Sequence, residues 1–243
     1  MARGARKLTI ETIIEALTEA IQLLFSLDPA LLEIVGRSLH VTLTALAIAT
    51  TAGVPFGVWL AMARFPGRRL LTTFVYTGMG FPPVVIGLIV YLFLSRRGPL
   101  GILGWLFTPK AMILAQVILS TPPIIGITMS SMLAVDPALM PQLRALGATR
   151  WQALRALAYE ARFGIILAIV AGFGAVISEV GAVMMVGGNI EGYTRVLTTA
   201  IVLETRKGNF SLALALGAIL LVLSFAANLV MMLGQGRAFR RNQ

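Results

Sequence analysis

A single acidic residue lies deep inside an apolar part of the sequence, and its ionisable side chain makes it the first candidate for a functional residue. Glu179 falls within the apolar stretch 163–187. An ionisable side chain at that depth is costly unless it is paired or hydrated. An ionised carboxylate cannot attract an anion, so we expect a structural or gating role, by pairing with a basic group or by capping backbone N–H groups. A glutamate kept protonated in a protein interior is the alternative.

Weak hydrogen-bond donors follow Glu179 along the chain. Gly187, Gly188 and Asn189 end the same apolar stretch, and Thr198 and Thr199 come shortly after. Hydroxyl and backbone N–H groups can donate to an oxyanion without trapping it. No Lys or Arg lies in the middle of an apolar stretch. The pattern predicts a path that lets an anion through without holding it, and an ordinary polar loop is the alternative.

Residues for enzymatic chemistry are scarce. The sequence has no cysteine and one histidine, His40, which excludes disulfides, thiolate metal sites and multi-histidine metal sites. It also lacks the Gly-x-x-x-x-Gly-Lys-Ser/Thr phosphate loop, so ATP cannot bind here in the usual way. We therefore expect no catalytic residue, metal or cofactor, and we expect any ATP hydrolysis on a separate partner chain.

The composition indicates that lipid surrounds these residues. Hydrophobic residues make up 58% of the 243 residues, charged residues only 12%, and the mean hydropathy is +0.88. A soluble domain carries about 25% charged residues, because its surface must face water. The net charge of +10 comes from basic residues between apolar runs. That placement is typical of residues that set membrane topology and does not predict nucleic-acid binding.

Five apolar stretches are long enough to cross a bilayer, which needs about 20 such residues. They must be helices, because the alternating strands of a barrel would not be continuously apolar. We predict an all-α integral membrane protein of the cytoplasmic membrane with five core transmembrane helices. Their approximate ranges are 39–63, 70–94, 110–133, 163–187 and 210–233.

The N-terminal part is a separate question. Residues 8–27 place apolar side chains at helical spacing, with glutamates mostly on another face. This segment predicts either an amphipathic interfacial helix or a short sixth span. We divide the chain into an N-terminal segment 1–36, a transmembrane domain 37–235 and a basic cytoplasmic tail 236–243.

The basic residues set the orientation. The turn 64–69, the stretch 134–162 and the tail together hold ten Lys and Arg, against six in the connections on the other side. Cytoplasmic loops carry the excess of Lys and Arg, so these three regions are predicted to be cytoplasmic. Crossing by residues 8–27 would also bring the basic N-terminus inside.

The cytoplasmic stretch 134–162 predicts two short helices with a bend between them. Gly147 permits the bend, and Thr149 can cap the second helix. Trp151 and Leu154 then begin an apolar face with arginines around it. Such a helix outside the membrane suits docking into a groove of a partner, and an ordinary surface connection is the alternative.

This stretch resembles the cytoplasmic "EAA" loop of ABC importer permeases, whose short helix sits in a cleft of the ATP-binding subunit. The resemblance rests on Ala145-Leu-Gly-Ala-Thr149 followed by Trp151-Gln152. The usual Glu-Ala-Ala falls on Pro141-Gln-Leu143, and the closing Leu-Pro falls on Tyr159-Glu160. The resemblance implies the following ATPase-coupling residues: Ala145, Leu146, Gly147, Ala148, Thr149, Trp151 and Leu154.

A proline pair marks a further candidate site. Pro82 and Pro83 fall inside an apolar stretch, as do Pro122 and Pro123. Each proline removes a backbone hydrogen bond and bends a helix. Carbonyls left open in this way are tolerated where they line a cavity or pack against protein, and kinks that serve packing alone are the alternative.

The segments 81–87, 179–190 and 194–205 resemble permeases for molybdate and tungstate, most closely the tungstate branch. The resemblance covers about residues 31–235. It implies a type I ABC importer-like fold and translocation of a tetrahedral oxyanion. It also implies a second copy of the chain, two ATP-binding subunits and an extracytoplasmic oxyanion-binding protein. The path or gate residues would be Pro82, Pro83, Glu179, Gly187, Gly188, Asn189, Thr198 and Thr199.

Other functions remain open from the sequence. An ABC permease for sulfate, phosphate or an amino acid would share the coupling loop. A secondary transporter would normally need several intramembrane ionisable residues or clear inverted repeats, and neither appears. A membrane-embedded enzyme would need clustered His, Asp or Glu at the membrane face.

Overall fold

The computed structural model describes residues 29–239, with side chains to residue 229, and also Thr18, Ile21 and Gln22. Every regular element in this part of the chain is a helix, which confirms the predicted all-α class. A short 3-10 turn, Gly101–Leu103, lies between the helices Pro83–Leu94 and Pro109–Leu133. The α-helices are α1 (Pro29–Met62), α2 (Arg68–Met79), α3 (Pro83–Leu94), α4 (Pro109–Leu133), α5 (Leu139–Ala145), α6 (Arg150–Glu160), α7 (Arg162–Ile177), α8 (Gly181–Gly187), α9 (Leu197–Lys207) and α10 (Phe210–Phe239).

Three of these helices can each cross a membrane alone: α1, α4 and the first part of α10, Phe210–Leu229. The helices α2 and α3 pass the same test of length and apolarity only as a pair, with a bend of 103° between them. The pair α6 and α7 bends by 65°. Counting each pair as one span gives up to five spans by length and composition in the described part of the chain. Of the second pair, α6 falls in the predicted cytoplasmic stretch 134–162, and α7 falls in the predicted span 163–187.

Two predicted spans are divided helices, and one of them, 163–187, consists of α7 and α8. The stretch 70–94 consists of α2 and α3, with three residues between them. Pro82 is the extended residue before α3 and Pro83 is its first residue, where the missing N–H of proline has no helical partner to lose. The second pair, Pro122 and Pro123, lies inside the unbroken α4.

The helix α4 is the centre of the bundle, and α1 packs along it. Over half of the apolar window of α4 is buried, a larger share than in α1 or α10. Gly53 and Gly57 of α1 face α4, where an added Cβ would lie 3.0 Å from Ile124 and 2.8 Å from the carbonyl oxygen of Ile125. Small residues four apart let membrane helices approach closely, which gives the van der Waals contact that holds them in lipid.

One end of the bundle forms a single apolar cluster with the 134–162 segment. Leu60 of α1, Val75 of α2 and Met129 of α4 are buried there together with Leu157 of α6. The helix α6 therefore packs directly on helices of the bundle.

The N-terminal prediction lies mostly outside this part of the chain. Of residues 8–27, the structure describes only Thr18, Ile21 and Gln22. The end of the basic tail, residues 240–243, also lies outside the described residues, while α10 continues to Phe239.

Candidate functional site

The segment 134–162, predicted to be cytoplasmic and called here the coupling segment, contains a bend at Gly147. This residue has φ of +86°, the left-handed conformation that glycine adopts without steric cost. A Cβ at Gly147 would meet no other atom within 4 Å, so the backbone conformation, and not space, favours glycine. Thr149 then starts α6 with a capping box. Its Oγ1 accepts from the N–H of Gln152 at 3.3 Å, and Oε1 of Gln152 accepts from the N–H of Thr149 at 2.8 Å.

The coupling segment has a side packed on the bundle and a free side. Leu157 is buried and Leu154 is partly buried against the same cluster. Leu146 and Trp151, in contrast, are 84% and 74% exposed. Two large apolar side chains exposed on the same segment are available to a partner. Of the predicted coupling residues, Leu146 and Trp151 can thus contact a partner, whereas Leu154 anchors the helix.

A cleft of about 570 Å³ opens beside the coupling segment. Asp136, Gln142 and Glu160 supply polar groups to its wall, and Ser131 adds a hydroxyl. No ion pair joins either carboxylate to another described residue. The cleft is therefore acidic within an otherwise basic segment, and its chemistry suits a basic side chain.

A three-residue break, Ser178–Val180, separates α7 from α8, and Glu179 lies in it. The Glu179 side chain is buried, and its Oε1 accepts the backbone N–H of Ala182 at 2.8 Å. The carboxylate thus takes up one of the N–H groups that the start of α8 leaves without a helical partner. No cation pairs with Glu179 among the described residues.

Side chains from two other helices bond to backbone carbonyls at and just before this break. Gln116 of α4 donates from Nε2 to the carbonyl oxygen of Val176 at 3.3 Å. Thr198 of α9 donates from Oγ1 to the carbonyl oxygen of Glu179 at 2.8 Å. Lipid offers no hydrogen bonds, so backbone groups at a break must find partners inside the protein. The break is held from α4 and α9 together.

The two predicted threonine donors are already engaged. Thr198 has one hydroxyl proton and gives it to Glu179. Thr199 donates to the carbonyl oxygen of Val196 and accepts the N–H of the same residue, both at 3.1 Å. Both side chains are buried within the chain. In this conformation neither hydroxyl has a proton left to donate to a passing anion.

The turn after α8 holds the predicted glycine and asparagine residues. Gly188 has φ of +72° and is exposed, and Asn189 also lies in the left-handed region, with φ of 51°. Gly187 is buried, and its carbonyl oxygen accepts the hydroxyl of Thr194 at 2.6 Å. Thr194 in turn accepts the N–H of Ile190 at 2.8 Å, which closes the turn.

An arginine of α1 ties this outer turn to the bundle. Arg37 pairs with Glu33 on its own helix, and its NH2 also donates to the carbonyl oxygen of Gly192 at 2.8 Å. The hydroxyl oxygen of the next residue, Ser38, accepts the N–H of Leu197 at 2.7 Å. The outer part of α1 therefore fixes both ends of the 192–197 connection.

Pro82 and Pro83 lie apart from this network. Both are exposed on the surface of the single chain, at the bend between α2 and α3. Nearby, Gly78 of α2 packs on Pro122 of α4, with 3.0 Å from an added Cβ to the proline ring. Among the described residues, no hydrogen bond connects Pro82 or Pro83 to Glu179 or to the two threonines.

Comparison with known families decides what kind of protein carries these features. Residues 53–241 match the family model described as binding-protein-dependent transport system inner membrane component. The chain belongs to this family. It is the membrane-spanning permease subunit of an ABC importer, it resides in the cell membrane, and ATP hydrolysis belongs to a separate ATP-binding subunit.

Curated relatives share most of the length of the permease. It is 44% identical over 203 residues to a probable anion ABC transporter permease protein of Haloferax volcanii, covering 82% of this chain and 88% of the relative. It is 40% identical over 221 residues to the tungstate uptake system permease protein of Peptoclostridium acidaminophilum, covering 91% and 97%. A molybdenum transport system permease protein of Escherichia coli is 28% identical over 177 residues, covering 68% and 77%.

Solved structures share the fold of the permease. A chain of a bacterial alginate ABC transporter, in complex with a pentasaccharide-bound periplasmic protein, superposes with a TM-score of 0.73 at 19% identity, covering 95% of this chain and 90% of that one. A chain of an inward-facing methionine ABC transporter gives 0.66 at 19% identity, covering 97% and 100%. These likenesses establish the fold of ABC importer permeases.

Sequence reasoning missed two residues of the site. Gln116 is a polar residue inside an apolar span, a signal that marks functional or structural positions in membranes. Arg37 precedes the predicted start of the first span and gave no such signal. Among the described residues there is no group of three or more His, Cys, Asp or Glu side chains that could hold a metal ion.

Proposed function

We propose that this permease passes tungstate into the cell, with molybdate as the second candidate. The support is the 40% identity to a tungstate uptake permease over nearly the whole length of both chains. The 44% identity to a probable anion permease also favours an anionic substrate. The weaker match to a molybdenum permease favours tungstate over molybdate. Both ions are tetrahedral dianions, which explains why one permease scaffold serves either.

The assembly is proposed to contain two copies of this chain and two ATP-binding subunits. The cavity between α1, α4, α7, α9 and α10 has a volume of about 10 Å³, room for one water-sized molecule only. A tetrahedral oxyanion is far larger, so we place the path between two copies around a two-fold axis. Pro82, Pro83 and Gly188, which are exposed in the single chain, are then free to face the path.

The buried members of the predicted site are proposed to act indirectly. Glu179 and Thr198 hold the α7–α8 break, Gly187 accepts the bond that closes the turn after α8, and Thr199 caps the start of α9. A break in a span is a natural place for a permease helix to change shape, because its hydrogen bonds are made by a few side chains. These four residues would set the position of the gate, while exposed backbone and small residues would contact the ion.

The coupling segment is proposed to receive the ATP-binding subunit. Leu146 and Trp151 would fill an apolar part of the partner, in the manner of a helix in a groove. The acidic cleft at Asp136 and Glu160 would accept a basic side chain of the same partner. Because Leu157 is buried against α1, α2 and α4, movement of the docked partner would move these helices.

Ion selection is proposed to lie mainly with the capture protein. A Lys or Arg in the path would give an oxyanion a strong and long-lived pairing, and conduction requires release at each step. Uptake of radiolabelled tungstate, molybdate and sulfate by reconstituted complexes with one fixed capture protein tests the proposal. We expect tungstate first and molybdate close behind. Uptake of sulfate alone, or equal uptake by vesicles without ATP, would show that the assignment is wrong.

The stoichiometry has its own measurement. Native mass spectrometry of the purified complex should give a mass with two permease chains and two ATP-binding chains. A single permease chain in a complex that transports would exclude the two-fold path.

A further inference from the structure

The joint between α6 and α7 is a single residue with a sharp bend. The helix α6 ends at Glu160 and α7 begins at Arg162, and the two helices are bent by 65° relative to each other. Ala161, the residue between them, is buried with Leu157 in the apolar cluster at this end of the bundle. Sharp bends in helices have identifiable causes, such as a proline, a glycine pair or an inserted side chain. The joint contains no proline or glycine, so a side chain is the cause to look for.

The side chain of Arg162 lies across this joint. Its guanidinium carbon is 4.1 Å from the ring centre of Tyr159 on α6 and 4.4 Å from the ring centre of Phe163 on α7. Its NH1 also donates to the carbonyl oxygen of Tyr159 at 2.6 Å. A guanidinium is attracted to the face of an aromatic ring, and no carboxylate in the described part of the chain forms an ion pair with Arg162. One cation thus contacts both helices.

The helix α7 connects this joint to the α7–α8 break. It has 16 residues and no internal proline, and it is about 24 Å long at 1.5 Å per residue. Two glycines seat it closely on α4. A Cβ added at Gly164 would overlap the hydroxyl of Ser131, and one added at Gly172 would lie 2.7 Å from the side chain of Ile124. One closely packed helix therefore lies between the joint and the break.

We propose that Arg162 is a positioning residue for transport, and that it holds the bend at which movement of α6 is passed to α7. The inference rests on the proposed function, in which the ATP-binding subunit docks on Leu146 and Trp151. While the guanidinium contacts both rings, a displacement of α6 turns α7 and shifts the α7–α8 break at its far end, because close-packed interiors transmit strain. Without these contacts the joint bends more freely and part of the displacement is lost. Arg162 acts on the gate without touching the ion or the nucleotide.

The test measures uptake of radiolabelled tungstate or molybdate per ATP hydrolysed, in complexes reconstituted with the ATP-binding subunit and one capture protein. Arg162→Gln removes the cation and should lower this ratio by about fivefold or more, the change expected from the loss of two cation–π contacts. Arg162→Lys returns a cation and should recover much of the ratio. Arg155→Gln is the matched control, because Arg155 is an exposed residue of α6 with no hydrogen bond, ion pair or ring contact in the described part of the chain. Its ratio should equal that of the parent chain.

Two variants of Tyr159 answer the same question if the Arg162→Gln chain does not assemble. Both keep Arg162 and its hydrogen bond to the backbone of residue 159. Tyr159→Leu removes the ring, whereas Tyr159→Phe keeps the ring and removes only the hydroxyl. We expect a ratio about two- to fivefold lower for Tyr159→Leu than for Tyr159→Phe, with equal amounts of the ATP-binding subunit recovered on purification.

Three results would overturn the inference. These are equal ratios for Tyr159→Leu and Tyr159→Phe, an Arg162→Gln complex that couples as well as Arg155→Gln, and slower ATP hydrolysis by Arg162→Gln at an unchanged ratio, which would mean that Arg162 serves assembly or hydrolysis and not coupling. The parent complex tests the proposed function separately. If it hydrolyses ATP but takes up neither tungstate nor molybdate, the proposed function is wrong, whatever the variants show.

Discussion

Thr198→Val separates a structural hydroxyl from one that contacts the ion. The Thr198 hydroxyl lies 2.8 Å from the carbonyl oxygen of Glu179 and is buried within the chain. Valine keeps the shape and removes the donor, so the carbonyl in the break loses a partner that lipid cannot replace. Leaving a buried polar group unsatisfied costs about 1–3 kcal/mol. At about 2–4 °C per kcal/mol for a chain of this length, the expected drop in melting temperature is about 2–12 °C.

The same helix supplies the control for this variant. Thr205 of α9 is exposed, and its hydroxyl donates to the carbonyl oxygen of Ile201 one turn back. Thr205→Val should change stability by less than about 0.5 kcal/mol, as surface substitutions generally do. The assay is thermal unfolding of the permease–ATPase complex in nanodiscs, followed by uptake of tungstate and molybdate with one capture protein.

Two outcomes would refute this account of Thr198. If both variants melt at the same temperature, the bond to Glu179 does not hold the break. If Thr198→Val reverses the preference between tungstate and molybdate, the hydroxyl contacts the ion and the permease itself selects. We expect slower uptake with the order of preference unchanged, since the break positions the gate without touching the ion.

Further substitutions test three other parts of the site. Gly147→Val should weaken co-purification of the ATPase, because a β-branched residue at φ of +86° costs about 1–3 kcal/mol. Trp151→Glu should also weaken it, because the substitution places a charge on the exposed apolar surface. Normal co-purification of both variants would contradict the docking site. Glu179→Gln should transport nearly normally, because the amide oxygen still accepts the N–H of Ala182. Glu179→Ala removes this cap and should lower the stability by about 0.5–2 kcal/mol. Equal melting curves for the two variants would exclude the capping role. Arg37→Ala should speed limited proteolysis of the outer turn relative to Glu33→Gln, which keeps the bond from Arg37 to Gly192, and identical cleavage rates would show that Arg37 does not hold the turn.

The number of apolar spans followed from the sequence, but their continuity did not. Two proline pairs in similar apolar stretches gave different results. Pro82 and Pro83 begin a new helix after a bend of 103°, whereas Pro122 and Pro123 stay inside one helix. Proline lacks the backbone N–H in both cases, but only inside α4 does this remove a helical hydrogen bond. Whether the helix then breaks depends on packing against distant residues, such as the contact of Pro122 with Gly78, which a single sequence does not encode locally.

The bend and cap of the coupling segment were predictable because their causes are local. A glycine and a capping threonine act within a few residues of themselves. The hydrogen-bond partner of the Thr198 hydroxyl was not predictable in this way. Its partner is 19 residues away, and the amide of Gln116 reaches a carbonyl 60 residues away. Such contacts become visible only when the helices are assembled.

The site as a whole indicates an order of priority among polar groups in this permease. Backbone carbonyls in a broken membrane helix must be satisfied first, because the bilayer offers them no water. Gln116, Glu179 and Thr198 serve that need, and each was a polar residue that could otherwise have contacted a substrate. Once they are committed, few interior donors are left for an anion in the described part of the chain. In the path proposed between two copies of the chain, exposed backbone and small residues would hold an oxyanion weakly at every step. The affinity of the proposed transport system would then come from the protein that captures the ion.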